Sequence, residues 1–151
     1  MNDIEYAGFW IRSGAAIIDT ILLLIIILPL MDAIYGDTYW QSDATILGFW
    51  DLMLNYILPA IAFVMLWIYK SATPGKMATK LTIVDAKTGG KPSTKQFIIR
   101  YLGYYVSILP LGLGLIWVGI DKRKQGFHDM LAGTVVIRST KAEPVRFESE
   151  M

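Results

Sequence analysis

The sequence contains no cysteine and only one histidine. The absence of cysteine excludes a disulfide framework, a thiolate nucleophile and every cysteine-based metal site. A single histidine without a carboxylate cluster at ligand spacing does not make a metal site, so we predict neither a metal nor another cofactor. No arrangement of serine, histidine and aspartate indicates a hydrolase, and we expect a protein that is not an enzyme.

Charge is also scarce. Charged residues are 18% of the 151, and the net charge of +1 gives no reason to expect a nucleic-acid partner. Hydrophobic residues are 54% and the mean hydropathy is +0.46, values typical of a chain whose solvent is a lipid bilayer. The composition therefore predicts a small α-helical integral membrane protein with one domain, residues 1–151.

Three apolar segments have the length of about 20 residues that a membrane span requires. They are residues 9–31, 49–69 and 97–120. Residues 32–51, which connect the first two segments, contain four aspartates and neither lysine nor arginine, whereas the loop at 70–97 contains six lysines. The positive-inside rule then predicts a cytoplasmic 70–97 loop and a cytoplasmic N-terminus, and we expect a bacterial plasma membrane.

The third segment conflicts with a simple span, because basic residues lie at both of its ends. A break at residues 109–114, which contain a proline and two glycines, offers a solution. We interpret 97–120 as a broken, re-entrant helical hairpin whose halves are too short to cross separately. A single proline-kinked span with an external C-terminus remains the alternative.

Two β-rich runs, 81–85 and 134–137, are predicted to pair as a small cytoplasmic sheet, which favours the hairpin. Ser93 and Gln96 fit a capping box that opens the third segment. We expect a structured core at 6–138 and a flexible tail at 139–151.

The combination and order of several motifs resemble the RDD family of membrane proteins. The motifs are Arg12 and Asp19 in the first helix, Thr73-Pro74-Gly75-Lys76, the 81–85 strand with Gly89-Gly90, and the run from Lys124 to Thr134. The resemblance implies that the arginine and two aspartates of the family correspond to Arg12, Asp19 and Asp129. It also implies a suspected role in transport, including exchange of cations and protons.

The residues themselves suggest separate roles for these three. Arg12 and Asp19 are about 10 Å apart along one helix face, too far for a salt bridge. Under the hairpin topology Asp129 returns to the boundary where Arg12 lies, so we predict an Arg12–Asp129 ion pair that pins the C-terminal segment to the first helix. His128 is interpreted as a boundary residue.

Asp19 is left inside an apolar helix, where a charge is costly and usually functional. It can bind a proton or a monovalent cation, or it can accept hydrogen bonds from Tyr101, Tyr104 or Ser107. With Arg12 assigned to Asp129, the three apolar segments offer Asp19 no basic partner except near Arg100. Two functions follow. One is a transporter of protons and small monovalent cations, assembled as a homo-oligomer. The other is a non-transporting membrane scaffold with a basic cytoplasmic docking surface.

Overall fold

Two long apolar helices dominate the structure, a computed structural model that describes residues 5–138. Helix α1 spans Phe9–Tyr35 and is followed by the short α2, Asp37–Gln41. Helix α3 (Phe49–Leu52) continues through a π-helical turn (Met53–Ile57) into α4 (Leu58–Lys70), so that Phe49–Lys70 form a second helix of 22 residues. Both helices are long and apolar enough to cross a bilayer, as predicted.

A small antiparallel sheet lies at one end of these helices. Its strands β1 (Glu5–Tyr6), β3 (Thr134–Arg138) and β2 (Leu81–Asp85) are hydrogen-bonded in that order. The predicted pairing of 81–85 with 134–137 is confirmed, with Val84 opposite Val135. The sequence analysis missed β1, because a two-residue strand has no periodicity to detect.

The third apolar segment is broken as predicted. Helix α6 (Thr94–Ile108) and helix α7 (Leu113–Ile116), which ends in a 3-10 turn at Trp117–Gly119, meet at 112°. Pro110 lacks a backbone N–H, and Leu111 and Gly112 have positive φ values of 56° and 75°. Right-handed helix therefore cannot continue through this turn.

The sheet decides which topology the broken segment has. Its three strands come from before α1, after α4 and after α7, so all three regions lie on the same side of the membrane. Because β2 and β3 are directly paired, the chain between them must return to the side from which it started. The alternative of one kinked span with an external C-terminus is therefore wrong, and the segment is re-entrant.

The turn between β2 and α6 is tied down by the predicted capping box. Gln96 N donates to Ser93 Oγ (3.2 Å) and Ser93 N donates to Gln96 Oε1 (2.8 Å). The Gln96 side chain also donates to Asp85 Oδ2 (2.7 Å), so the cap of α6 is bonded to the end of β2.

The core lies at the sheet end of the molecule. Two short helices complete it: α5 (Pro74–Ala78) packs on α1, and α8 (Phe127–Ala132) packs on α6. In contrast, only 11% and 6% of the most apolar stretches of the two spanning helices are buried inside the protein. Most of the surface of the two spanning helices is therefore exposed on the outside of the protein. The predicted tail, residues 139–151, lies outside the described residues.

Helices α6 and α8 approach closely at Gly103, where a Cβ atom would lie 2.9 Å from the Cα of His128. We therefore expect Gly103→Ala to destabilise the protein by about 1–3 kcal/mol through overpacking. Gly14, in α1, has no such neighbour within 4 Å and is the matched control. Thermal unfolding in detergent should show a lower midpoint for Gly103→Ala, and an unchanged or slightly raised one for Gly14→Ala. Equal midpoints for the two variants would contradict this packing.

Candidate functional site

Asp129 is the centre of a buried ionic cluster. Its carboxylate is fully buried, and Arg12 Nη1 donates to Oδ2 at 2.6 Å. Arg100, also fully buried, forms a second ion pair with Oδ1, and Gly126 N donates to Oδ2 at 3.0 Å. The ion pair expected between Arg12 and Asp129 is thus present. Burial alone would raise the pKa of Asp129, but Arg100 and Arg12 hold it well below its usual range.

Arg12 uses its remaining donors to join distant parts of the chain. Its Nε donates to the carbonyl of Ala7 (3.0 Å) and its Nη2 to the carbonyl of Lys124 (2.8 Å). On the other side of Asp129, Arg100 Nη1 donates to Thr134 Oγ1 at 2.9 Å. The cluster therefore bonds α1, α6, α8 and β3 to one another. Arg100, considered as a basic residue for Asp19, forms no hydrogen bond or ion pair with it, because its guanidinium is turned toward Asp129.

Asp19 is bound by a segment that the sequence analysis interpreted only as a turn. Thr73 Oγ1 donates to Asp19 Oδ2 at 2.5 Å, and Gly75 N donates to Oδ1 at 2.7 Å. Thr73 is the N-cap of α5, and Pro74 occupies its first turn. A free N–H at a helix start attracts a carboxylate. The Thr-Pro-Gly pattern could therefore have predicted a helix start that binds Asp19.

Gly75 is required for this contact because α5 lies directly against α1. A Cβ atom at residue 75 would lie 2.0 Å from the carbonyl oxygen of Ala15. Asp19 is consequently only 8% exposed, although it lies in a spanning helix. The hydrogen bonds predicted from Tyr101, Tyr104 or Ser107 to Asp19 are wrong, since these three side chains have other partners.

Those three residues support α8 and Arg100 instead. The Tyr104 ring stacks on His128 with centroids 4.0 Å apart, and the Arg100 guanidinium lies 5.7 Å from the Tyr104 centroid. The Ser107 hydroxyl is bonded to His128 Nδ1 at 3.2 Å and accepts from His128 N at 3.1 Å. The hydroxyl of Tyr101 bonds that of Tyr105 at 3.2 Å.

Ser107, His128 and Asp129 superficially resemble a catalytic triad, since His128 Nε2 lies 3.4 Å from Asp129 Oδ2. The surroundings do not suit that chemistry. Ser107 and Asp129 are fully buried, and the carboxylate is already paired with two guanidiniums. Burial lowers the pKa of His128 to about 3, so the imidazole is a poor base near neutral pH. Within residues 5–138, no group of three or more His, Asp or Glu is placed to hold a metal ion.

Lys76 is a buried residue whose importance the sequence analysis missed, because it was grouped with the other lysines of its loop. It is 8% exposed and lies near Tyr104, Arg100, Arg12 and Asp19. Among the described residues its ammonium makes neither a hydrogen bond nor an ion pair. Burial lowers the pKa of Lys76 from its ordinary value of 10.5.

The sequence of this chain matches the model of the RDD family over residues 6–133. The chain belongs to the RDD family. Two Bacillus subtilis (strain 168) proteins are similar to this RDD protein over most of their length. The protein named YckC is 30% identical over 148 residues, 95% of this chain and 91% of that one. The membrane protein named YteJ is 26% identical over 134 residues, 87% of this chain and 80% of that one.

A third relative, RP437 of Rickettsia prowazekii (strain Madrid E), is 38% identical over 85 residues. The match covers 56% of this RDD protein but only 47% of the Rickettsia protein, so the chain spans about half of that relative's length. No solved structure matches the chain.

The single histidine gives the stability a pH dependence of known sign. Because the pKa of His128 is lowered from 6.5 to about 3, the unfolded chain binds a proton between these pH values and the folded protein does not. The free energy of unfolding is therefore fully retained above pH 6.5 and falls as the pH drops toward 3, by up to about 1.4 kcal/mol per pH unit. The pKa of Asp129 is also lowered. This carboxyl therefore reduces the free energy of unfolding only at pH values below its ordinary pKa of 3.8.

We expect this slope in unfolding experiments on detergent-solubilised protein between pH 6.5 and about 5. His128→Gln should be less stable throughout but should lack the slope in this window. A His128→Gln variant with the same slope as the native protein would contradict a buried, neutral His128.

Proposed function

We propose that this RDD protein exchanges protons for small monovalent cations across the membrane, with Asp19 as the group that binds the transported ion. The observation that carries the proposal is a buried carboxylate inside a spanning helix. Asp19 lies ten residues into α1, about 15 Å along its axis. It forms no ion pair with any described residue. Uncompensated charges at such depth usually belong to an ion or proton path.

The chemistry of the site suits a small cation or a proton. An ionised carboxylate has roughly four acceptor positions, and only two hydrogen bonds reach Asp19. The carboxylate and the Thr73 hydroxyl supply the hard oxygen atoms that such cations prefer. Binding would replace the contact of Thr73 or use its free lone pair, without disturbing the buried Asp129 cluster.

Charge also supports an orientation. Lys80, Lys87, Lys91 and Lys95 are exposed on the side of the sheet, while residues 32–51 contain four aspartates and no lysine or arginine. By the positive-inside rule we propose that the sheet side, with the N-terminus, is cytoplasmic and that the membrane is a plasma membrane.

Because two spans and a re-entrant segment enclose little volume, we propose that several copies of the chain assemble around the path of the transported ion.

Purified protein in lipid vesicles provides the test. An inward cation gradient should make vesicles containing the native protein lose protons, as read by a trapped pH-sensitive dye. Asp19→Asn should reduce this flux by about tenfold or more, because it removes the charge that binds the ion. Asp43→Asn, at an exposed aspartate of the opposite side, is the matched control and should keep the native rate.

Two outcomes contradict the proposal. One is a folded Asp19→Asn protein with native flux, and the other is native protein without cation-linked proton flux. In the second case, loss of a co-purifying partner after changes to the exposed lysines would point to the scaffold function.

A further inference from the structure

Two exposed lysines, Lys122 and Lys124, follow the re-entrant segment, and the second lies beside the start of α1. A Cβ atom at Gly8, the N-cap of α1, would lie 3.7 Å from Lys124 Nζ and 3.8 Å from its Cδ. The 27 residues of α1 rise about 40 Å, which is the thickness of a bilayer with its headgroups. The Lys124 ammonium is therefore close to the headgroups of the leaflet on the sheet side.

Apolar surface ends directly before these lysines. Ile116 and Ile120, at the end of the re-entrant segment, are both exposed, and Lys122 follows two residues later. On α1, Trp10 is 83% exposed, the most of the five tryptophans. Tryptophan rings are enriched at the level of the headgroups. Apolar side chains, an indole and two ammoniums thus occur together at one membrane boundary, as a surface for both acyl chains and headgroups requires.

The positive charge of this surface is not neutralised by the part of the chain that the structure describes. The Asp121 carboxylate, in the same loop, accepts from two backbone N–H groups of that loop at 2.9 and 3.1 Å. Asp129 is buried between two guanidiniums, and Glu5 pairs with an arginine of β3 at 3.9 Å. The first turn of α1 contains no acidic residue. Both ammoniums are therefore available to an anionic partner.

The loop that contains the two lysines is hydrogen-bonded to the rest of the protein. The carbonyl of Lys124 accepts from Arg12 Nη2 at 2.8 Å. One residue later, Gln125 Nε2 donates to the carbonyl of Thr134 in β3 at 2.9 Å. Binding an anion would consequently order little more than two lysine side chains, which keeps the entropic cost of binding small.

We propose that Lys122 and Lys124, together with Trp10, bind the headgroups of anionic phospholipids in the leaflet on the sheet side. The ammoniums neutralise the phosphate, the indole lies at headgroup level, and Ile120 contacts the acyl chains. Phosphatidylcholine binds more weakly, because its own ammonium group already neutralises its phosphate. This surface is independent of the proposed ion exchange, since none of these residues is hydrogen-bonded to Asp19.

Purified full-length protein in micelles with equal amounts of phosphatidylglycerol and phosphatidylcholine provides the test. Native mass spectrometry measures the ratio of the two lipids that the protein retains. The native protein should prefer phosphatidylglycerol, and the double variant Lys122→Gln, Lys124→Gln should lower the ratio by about fivefold for each lysine removed. The double variant Lys122→Arg, Lys124→Arg keeps both charges and should keep the preference.

The double variant Lys87→Gln, Lys91→Gln is the matched control. It removes the same charge from the turn after β2, where no large apolar side chain is exposed, and it should retain the native ratio. Thermal unfolding establishes that each variant is folded before its lipids are compared.

Three outcomes would overturn the proposal. The first is a native protein that retains the two lipids equally. The second is a folded Lys122→Gln, Lys124→Gln protein with the native ratio, or with a ratio no lower than that of the control. The third is displacement of phosphatidylglycerol by inorganic phosphate alone, which would assign the two lysines to a free anion instead of a lipid.

Discussion

One buried carboxylate, that of Asp129, holds the sheet end of the molecule together. Two guanidiniums share it, Arg12 from the first spanning helix and Arg100 from the re-entrant helix. Removing these ions from water is costly, and only their mutual attraction and further hydrogen bonds offset the cost. Arg12 and Arg100 supply those bonds to Ala7, Lys124 and Thr134, so segments that are far apart in the sequence meet at one point.

The two buried carboxylates of the site, those of Asp129 and Asp19, have partners of different kinds. Asp129 has two permanent cationic partners, which leaves it little freedom to bind anything else. Asp19 has only a hydroxyl and a backbone N–H, and these come from α5, a short helix seated on α1 through Gly75. Lys76 lies on that same helix. A movement of α5 would therefore change the surroundings of Asp19 and Lys76 together, while the Asp129 cluster stays in place.

The lengths of the apolar segments, the placement of charge, the β-rich runs and the turn residues predicted the two spans, the break at Pro110, the pairing of 81–85 with 134–137 and the cap at Ser93. These features are local, or depend on one strand pairing. The Arg12–Asp129 contact was also predictable, because the topology returned Asp129 to the level of Arg12. The partners of Asp19 were not predictable from the sequence, because whether Thr73 or Tyr104 reaches the carboxylate depends on how α5 packs on α1. Lys76 resembled its neighbouring lysines in sequence and differs only in burial.

The free energy of unfolding of Asp129→Asn tests the dependence of the fold on this carboxylate most directly. The substitution keeps the side-chain shape but leaves two guanidiniums, one of them fully buried, without a counterion. A loss of about 3–5 kcal/mol is expected, larger than that of Arg12→Gln, which leaves Asp129 paired with Arg100. An Asp129→Asn protein as stable as the native one, or more stable than Arg12→Gln, would contradict the central place of Asp129.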